Sequence, residues 1–405
     1  MSCTRLSIRG FPTNEKSLCI HIAGTQKVGG LKKSEILMPV APNNFESTLR
    51  EKAGRSPGFW AEAWSRFRRQ KLAMTALVFV GMLFVVGVFS PAIVGTKPLV
   101  CHYKGATYFP AMGYFLESWE NPIFITDGVI YNYPQKLKEK DPQSWAVWPL
   151  IYQDPLRRVR AGERENFSGN PIGSAGRPNR HNLFGTNDLG EDVFAKMIHG
   201  TRIALLIGFV STGIAAVIGI VIGSAAGFFG GWIDWLLSRI IEVMMCIPTL
   251  VLILALISII EKPTIWHLMV VIGVFGWTGI ARLARAEFLK LRQLEYVTAA
   301  RALGFRWPRL MFRHILPNAL APVIVPITFG IAAAILLETT LGFLGIGAPD
   351  KTSWGRLLNE GKENLQMWWL IVFPGAAIFL TVLAYNLIGE GIQQATDPTL
   401  KASKH

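Results

Sequence analysis

The chain has 405 residues, 51% of them hydrophobic and 17% charged, with a formal net charge of +14. Soluble chains carry about 25% charged residues, so this composition excludes an ordinary soluble domain and points to an integral membrane protein. The excess charge is confined to residues 1–71, with thirteen Lys/Arg against five Glu, and residues 281–313, with eight against two. No groove-reading motif accompanies it, which sets nucleic acid aside as a partner, and positive-inside orientation accounts for both regions at once.

Residues 1–57 are polar, dotted with Gly and Pro and without period, and read as a disordered cytoplasmic tail. They lack the apolar core of a secretory signal, and Met38 is an alternative start to Met1. Residues 58–94 read as a surface helix and a first span. Phe59, Trp60, Trp64 and Phe67 recur at helical spacing beside Arg66, Arg68, Arg69 and Lys71. That pattern suits a helix lying on the bilayer and equally an ordinary lead-in to the span. The span itself is Leu72–Val94, ended by Ser90–Pro91; about 20 apolar residues cross the hydrocarbon core.

Residues 95–198 carry twelve basic and eleven acidic side chains with Trp119, Trp145 and Trp148, too aromatic for a linker. They read as a structured extracytoplasmic insertion, since long loops are largely exempt from the charge rule. Residues 199–400 form a five-helix core, with spans expected at Ile203–Ala226, Ile240–Ile260, Thr264–Ile280, Ala319–Leu341 and Trp368–Ile388. "GFFGGWIDWLLSR" reads as a short turn, Glu261–Pro263 as a tight outer turn, 281–318 as a basic cytoplasmic loop and 342–367 as a Gly-rich return loop. Six spans put both termini on one side, and the two basic regions put that side in the cytoplasm. Gly219, Gly223 and Gly227 share a helix face, a packing signal within the bundle or at a subunit contact. Glu338 is an intramembrane carboxylate, either lining a pathway or hydrated at the outer rim. Glu242 pairs most simply with Arg239.

Cys3, Cys19, Cys101 and Cys246 are scattered without a CxxC pair, and the seven histidines show no ligand spacing, so neither a disulfide framework nor a metal site is indicated. No Ser, His or Asp constellation points to catalysis, and no cofactor motif is visible. No GxxxxGK[ST] stretch exists, so the chain is not expected to bind ATP. Spans this poor in ionisable groups, without an internal repeat, disfavour the alternative of an ion-coupled secondary transporter or channel.

The basic loop holds "EYVTAARALGFRWPRLMFRHILPN", Glu295–Asn318. Tyr296–Leu303 favours helix, Gly304 ends it, and Arg301, Arg306, Arg309 and Arg313 surround it. A helix held between two spans can transmit a push from a soluble partner, or can merely hold lipid headgroups; spacing alone leaves the two equal. Thr298-Ala299-Ala300, three residues, Gly304, nine residues and His314-Ile315-Leu316-Pro317 resemble the signature loop of permease subunits in ATP-binding-cassette importers. Thr298 stands where that signature has Glu, and His314 where it has Ile. "FGTNDLGEDVFAKMIHGTRIALLIG", "GWTGIARLARAE", "LGFLGIG" and "SWGRLLNEGK" look like the dipeptide/oligopeptide/nickel branch, and "KPLVCHYKGATYFP" most like its oligopeptide and microcin C importers. The resemblance covers about residues 58–400.

It implies an all-α inner-membrane protein of six transmembrane helices with the type I importer permease fold and a large extracytoplasmic insertion. It further implies a non-catalytic subunit for peptide uptake. A second homologous permease, two cytoplasmic ATPase subunits and a periplasmic substrate-binding protein are then its partners, in the lipid bilayer. Glu295, Tyr296, Ala299, Ala300, Arg301, Gly304 and Pro317 become the expected ATPase-coupling residues.

Overall fold

A computed structural model describes residues 58–163, 168–347 and 351–396; the tail expected to be disordered lies outside the described residues. Helix α1, Phe59–Phe67, buries Phe67 under the stacked Trp64 and leaves Trp60 and Trp64 half-exposed. Helix α2, Lys71–Val88, stops short of the apolar run that continues to Val94. Pro91 has no N–H to give Gly87. The Ser90 hydroxyl donates to that carbonyl instead, at 3.0 Å, and a separate turn, Ser90–Ile93, follows.

The insertion is folded but not helical throughout. Strands β1 (Val100–Tyr103), β2 (Ala106–Tyr108) and β3 (Trp145–Val147) form an antiparallel sheet in the order β2-β1-β3. Its register sets Cys101 opposite both Tyr108 and Ala146. Cys101, Tyr103, Phe124, Val129, Tyr133 and Leu137 make a small core of their own. Of the three tryptophans, Trp148 packs against this core, whereas Trp119 and Trp145 are half-exposed. The buried Tyr103 satisfies its hydroxyl by donating to Asp127 at 2.8 Å.

Helix α3, Val193–Phe229, begins ten residues before the expected span. Lys196, His199 and Arg202 end the hydropathy signal there, yet each finds protein partners. At roughly 1.5 Å per residue its 37 residues make about 55 Å, well beyond a hydrocarbon core of about 30 Å, so α3 is longer than a single crossing needs. Asp192 caps it, accepting from Ala195 N–H at 2.7 Å and from Asn182 at 2.8 Å.

The stretch read as a turn is a helix. Gly230 and Gly231 both sit at positive φ, 69° and 55°, and α4 (Gly231–Cys246) starts at once. The single span expected at Ile240–Ile260 is two helices, α4 and α5 (Thr249–Ile259), bent by 80°. Pro248 is the cause: it removes a donor and holds Ile247 in the extended region.

Helices α6 (Ile265–Phe275) and α7 (Thr278–Leu291) form one passage whose apolar part ends near the expected Ile280, while the helix continues to Leu291 through Arg282, Arg285, Glu287 and Lys290. After the short α8 (Glu295–Ala302), residues Trp307–Arg309 and a π-helical turn, Leu310–Ile315, lead into α9 (Leu316–Phe343). The return loop contains α10, Trp354–Glu363, and the chain re-enters as α11, Trp369–Thr396. Among the described residues five helical passages are long and apolar enough to cross a membrane, or six if the bent α4–α5 pair counts as one.

The glycine stripe packs within the chain. Cβ atoms on Gly219, Gly223 and Gly227 would collide with Trp277 O and Ile280, with Ala281 O and Ala284, and with Arg285 O and Phe288. Helix α3 thus meets α7 backbone to backbone, the usual route to association where lipid supplies no hydrophobic drive. Gly223→Ala should lower the stability of the purified chain by about 1–3 kcal/mol through overpacking. Gly213→Ala on the same helix, where a methyl meets open space, should be neutral or stabilising by about 0.5–1 kcal/mol; thermal unfolding in detergent compares them.

Burial raises the Asp192 carboxyl from 3.8 to about 6. A raised folded-state value favours the protonated form in the fold. Its stabilising contribution is therefore complete below pH 3.8 and is lost as pH rises through about 6. Asp192→Asn should remove that slope from a stability profile while keeping an adequate helix cap.

Candidate functional site

The basic connector is an ordered structure welded to the C-terminal end of α3. Helix α8 ends in a Schellman turn: Gly304 N–H donates to Arg301 O at 3.0 Å and Phe305 N–H to Ala300 O at 3.2 Å. Gly304 supplies the left-handed residue, at φ +78°. Val297 and Ala300 are buried with Phe228, Phe288, Leu291, Leu310 and Ile315.

The outer surface of α8 is therefore Glu295, Tyr296, Thr298, Ala299 and Arg301, with Ala302, Leu303 and Gly304 exposed beyond it. Leu303 is 76% exposed and Trp307 53%, large apolar groups standing in solvent beside four arginines. Ala300, expected among the contact residues, faces inward; its small size seats α8 against the protein's own core. Pro317 is exposed in the first turn of α9. Thr298 donates its hydroxyl to Glu295 O at 2.9 Å, so it closes its own turn and leaves the outer face without the acid the signature carries there.

Two further contacts make the connector rigid. Arg285 on α7 forks onto Asp234 of α4, one of its two bonds measuring 2.9 Å. Arg292 reaches Phe228 O at the end of α3, at 3.3 Å. On the other side Phe305 stacks on His314 and Arg309 lies over the Phe305 ring at 4.5 Å. Packing thus links α8 to the ends of α3 and α7, and Arg285–Asp234 links α7 to α4. Glu242 pairs with Arg239, both more than half exposed, and takes no part in this frame.

At the N-terminal end of α3 the insertion and the helical core enclose a cavity of about 800 Å³. Buried Asp154 organises its wall. It accepts from the Thr96 hydroxyl at 2.5 Å and from Tyr114 at 3.1 Å, and lies 3.7 Å from Arg157. Glu163, also buried, takes Arg157 at 2.9 Å. Arg202 of α3 donates to Tyr114 O and Phe115 O, and His199 donates to Val94 O at 2.9 Å.

A second cavity, about 250 Å³, shares Ile203 and Lys351 with the first and continues to Glu338, Ser353 and Arg356. Glu338 is buried and accepts from Ser353, whose hydroxyl in turn accepts from Arg356 N–H at 3.2 Å. Helix α10 is held in place beside this cavity. Lys196 lies between Glu191, at 2.6 Å, and Glu360, at 3.1 Å, while Trp354 Nε1 donates to Met197 O. Glu191, Lys196, His199, Arg202, Ser353, Trp354, Arg356 and Glu360 lie inside the family-like stretches of the sequence, but no sequence signal says which of them meet. Asp154 and Thr96 are 58 positions apart and Lys196 and Glu360 are 164 apart, and nothing in local spacing joins them.

Residues 219–402 match the family of binding-protein-dependent transport system inner membrane components, and residues 58–109 match the N-terminal transmembrane domain of oligopeptide transport permease C. The chain is 36% identical over 341 residues to the inner membrane ABC transporter permease protein YejE of Escherichia coli K12, covering 83% of this chain and 96% of that protein. It is 33% identical over 363 residues to the peptidoglycan transport system permease protein YejE of Agrobacterium fabrum, covering 83% and 92%. It is 38% identical over 235 residues to the dipeptide transport system permease protein DppC of Alkalihalophilus pseudofirmus, covering 58% and 77%. A rigid connector at one end of α3, a lined cavity at the other, and relatedness across most of its length agree: the chain belongs to the family of inner-membrane permease subunits of binding-protein-dependent ABC transporters.

Proposed function

We propose that this permease imports peptides, forms half of the membrane channel beside a second homologous permease, and is driven by two cytoplasmic ATPase subunits that grip α8. The observation that carries the coupling role is the outward face of α8. Glu295, Tyr296, Ala299, Arg301 and Gly304 stand exposed on a helix whose inner face, Val297 and Ala300, is packed into the ends of α3 and α7. A lipid-holding loop needs charge but no such rigid seat. ATP hydrolysis belongs to the partner subunits, and this chain converts their closure into motion of its spans.

The two cavities that meet at Ile203 and Lys351 are the outer part of the cargo path, with Glu338 at its inner end. The insertion receives a substrate-binding protein, for which the half-exposed Trp119 and Trp145 are suitable anchors. The α8 end faces the cytoplasm together with both termini. Peptide cargo is the reading that the names of the related proteins support.

Gly304→Asp leaves room for the side chain but strains the left-handed residue by roughly 1–2 kcal/mol and adds charge to the contact face. The variant should insert normally, yet its complex should lose both uptake and the stimulation of ATP hydrolysis by loaded binding protein. Normal uptake would sink the coupling role, and uptake that persists after ATP depletion would favour a secondary transporter. Trp119→Ser with Trp145→Ser should raise by about tenfold the binding-protein concentration that half-saturates uptake, as loss of an aromatic anchor of about 1.4 kcal/mol requires; an unchanged value would remove the insertion from that interface.

A further inference from the structure

The larger cavity is not electrically balanced. Among the described residues its lining carries six cationic side chains and three carboxylates. The carboxylates are already engaged: Glu120 with Lys97 at 2.7 Å, and Asp154 and Glu163 with Arg157. Arg202 gives two of its five N–H donors to backbone carbonyls and lies over the Phe115 ring at 4.1 Å, contacts that hold its position without neutralising it. Arg158 and Arg160 flank the fully buried Val159, and neither guanidinium has an acidic partner among the described residues. The Arg158 stem is steadied against Gly190, where any side chain would displace it.

Resting on the permease reading above, we propose that this cavity selects cargo by charge, and that Arg158, Arg160 and Arg202 receive the carboxylates of acidic peptides. Guanidinium groups present paired donors that match a carboxylate. A concave wall of one sign raises the local concentration of oppositely charged solute. The residues that anchor the wall are paired and buried, so the excess positive charge stands on a rigid surface. Below it, the only carboxylate lining the smaller cavity, among the described residues, is Glu338, next to Lys351 and Arg356. An acidic peptide therefore meets unpaired arginine charge at the entrance, before it reaches Glu338.

The test uses the complete transporter in sealed vesicles: this chain, its second permease, the ATPase subunits and the binding protein. Uptake of pentapeptides carrying Glu, Gln or Lys at two central positions is compared, and the ratio of kcat/KM for the Glu peptide to that for the Lys peptide is the readout. Arg158→Gln with Arg160→Gln should lower that ratio about fivefold, the worth of partly exposed charge pairs of roughly 1 kcal/mol. Arg158→Lys with Arg160→Lys should keep most of it. Because the ratio comes from one preparation, a loss of folded protein cancels, and because only the permease is altered, selectivity of the binding protein cancels too. An unchanged ratio in the Gln variant would overturn the proposal. So would a parallel loss for all three peptides that excess binding protein restores, which would assign the arginines to protein docking. Absence of ATP-dependent uptake of any peptide by the wild type would instead overturn the peptide-importer reading on which this one stands.

Discussion

The close approach of α3 and α7 is the contact on which the rest of the molecule depends. Three glycines in successive turns remove the side chains that would keep two helices apart, and the carbonyls of Trp277, Ala281 and Arg285 occupy the space. In lipid such contact is the main source of helix association, because apolar side chains gain nothing by leaving one hydrocarbon for another. Close packing also removes play. Helix α7 leads directly into α8, so the connector is fastened to the longest helix of the bundle.

The two ends of α3 then perform different work with different chemistry. At the C-terminal end an apolar cluster around Phe228, Phe288 and Ile315 seats α8, and Arg285–Asp234 and Arg292 tie the surrounding turns. At the N-terminal end burial of polar groups dominates. Asp154, Glu163, Lys196 and His199 are all inside, and each has partners, as buried charge requires. These bonds join the insertion, α3 and α10 into one wall. A charged wall of this kind can hold a fixed excess of arginine, since the neutral pairs carry the structure and leave the other cations to face the cavity.

Much of this was legible in the amino-acid order. The excess of apolar residues, the basic stretches and Gly304 at the end of a helical run identify a multi-spanning chain with an ordered basic connector, and the signature around Ala299 and Gly304 identifies its family. The misreadings have local causes. Hydropathy placed the start of α3 at Ile203 because it counts Lys196, His199 and Arg202 as hydrated, whereas the fold satisfies them. It merged α4 and α5 because Pro248 is one residue in an apolar run, and it read Gly230–Gly231 as a turn with no helix behind it. The signature names Ala299 and Ala300 together, and it took the fold to show that 100° of helical rotation puts Ala299 outside and Ala300 in the core.

What the sequence by itself determined is the set of local facts: which segments are apolar enough for lipid, where the chain must turn, and which short motif it shares with its relatives. These follow from composition and from interactions between residues a few positions apart. Only the tertiary structure decided which glycines meet which carbonyls, that Asp154 gathers Thr96, Tyr114 and Arg157, and that Lys196 sits between Glu191 and Glu360. Those contacts join residues up to 164 positions apart. The free energy of a buried charge depends on its neighbours in space rather than in the chain, and a linear pattern does not contain them.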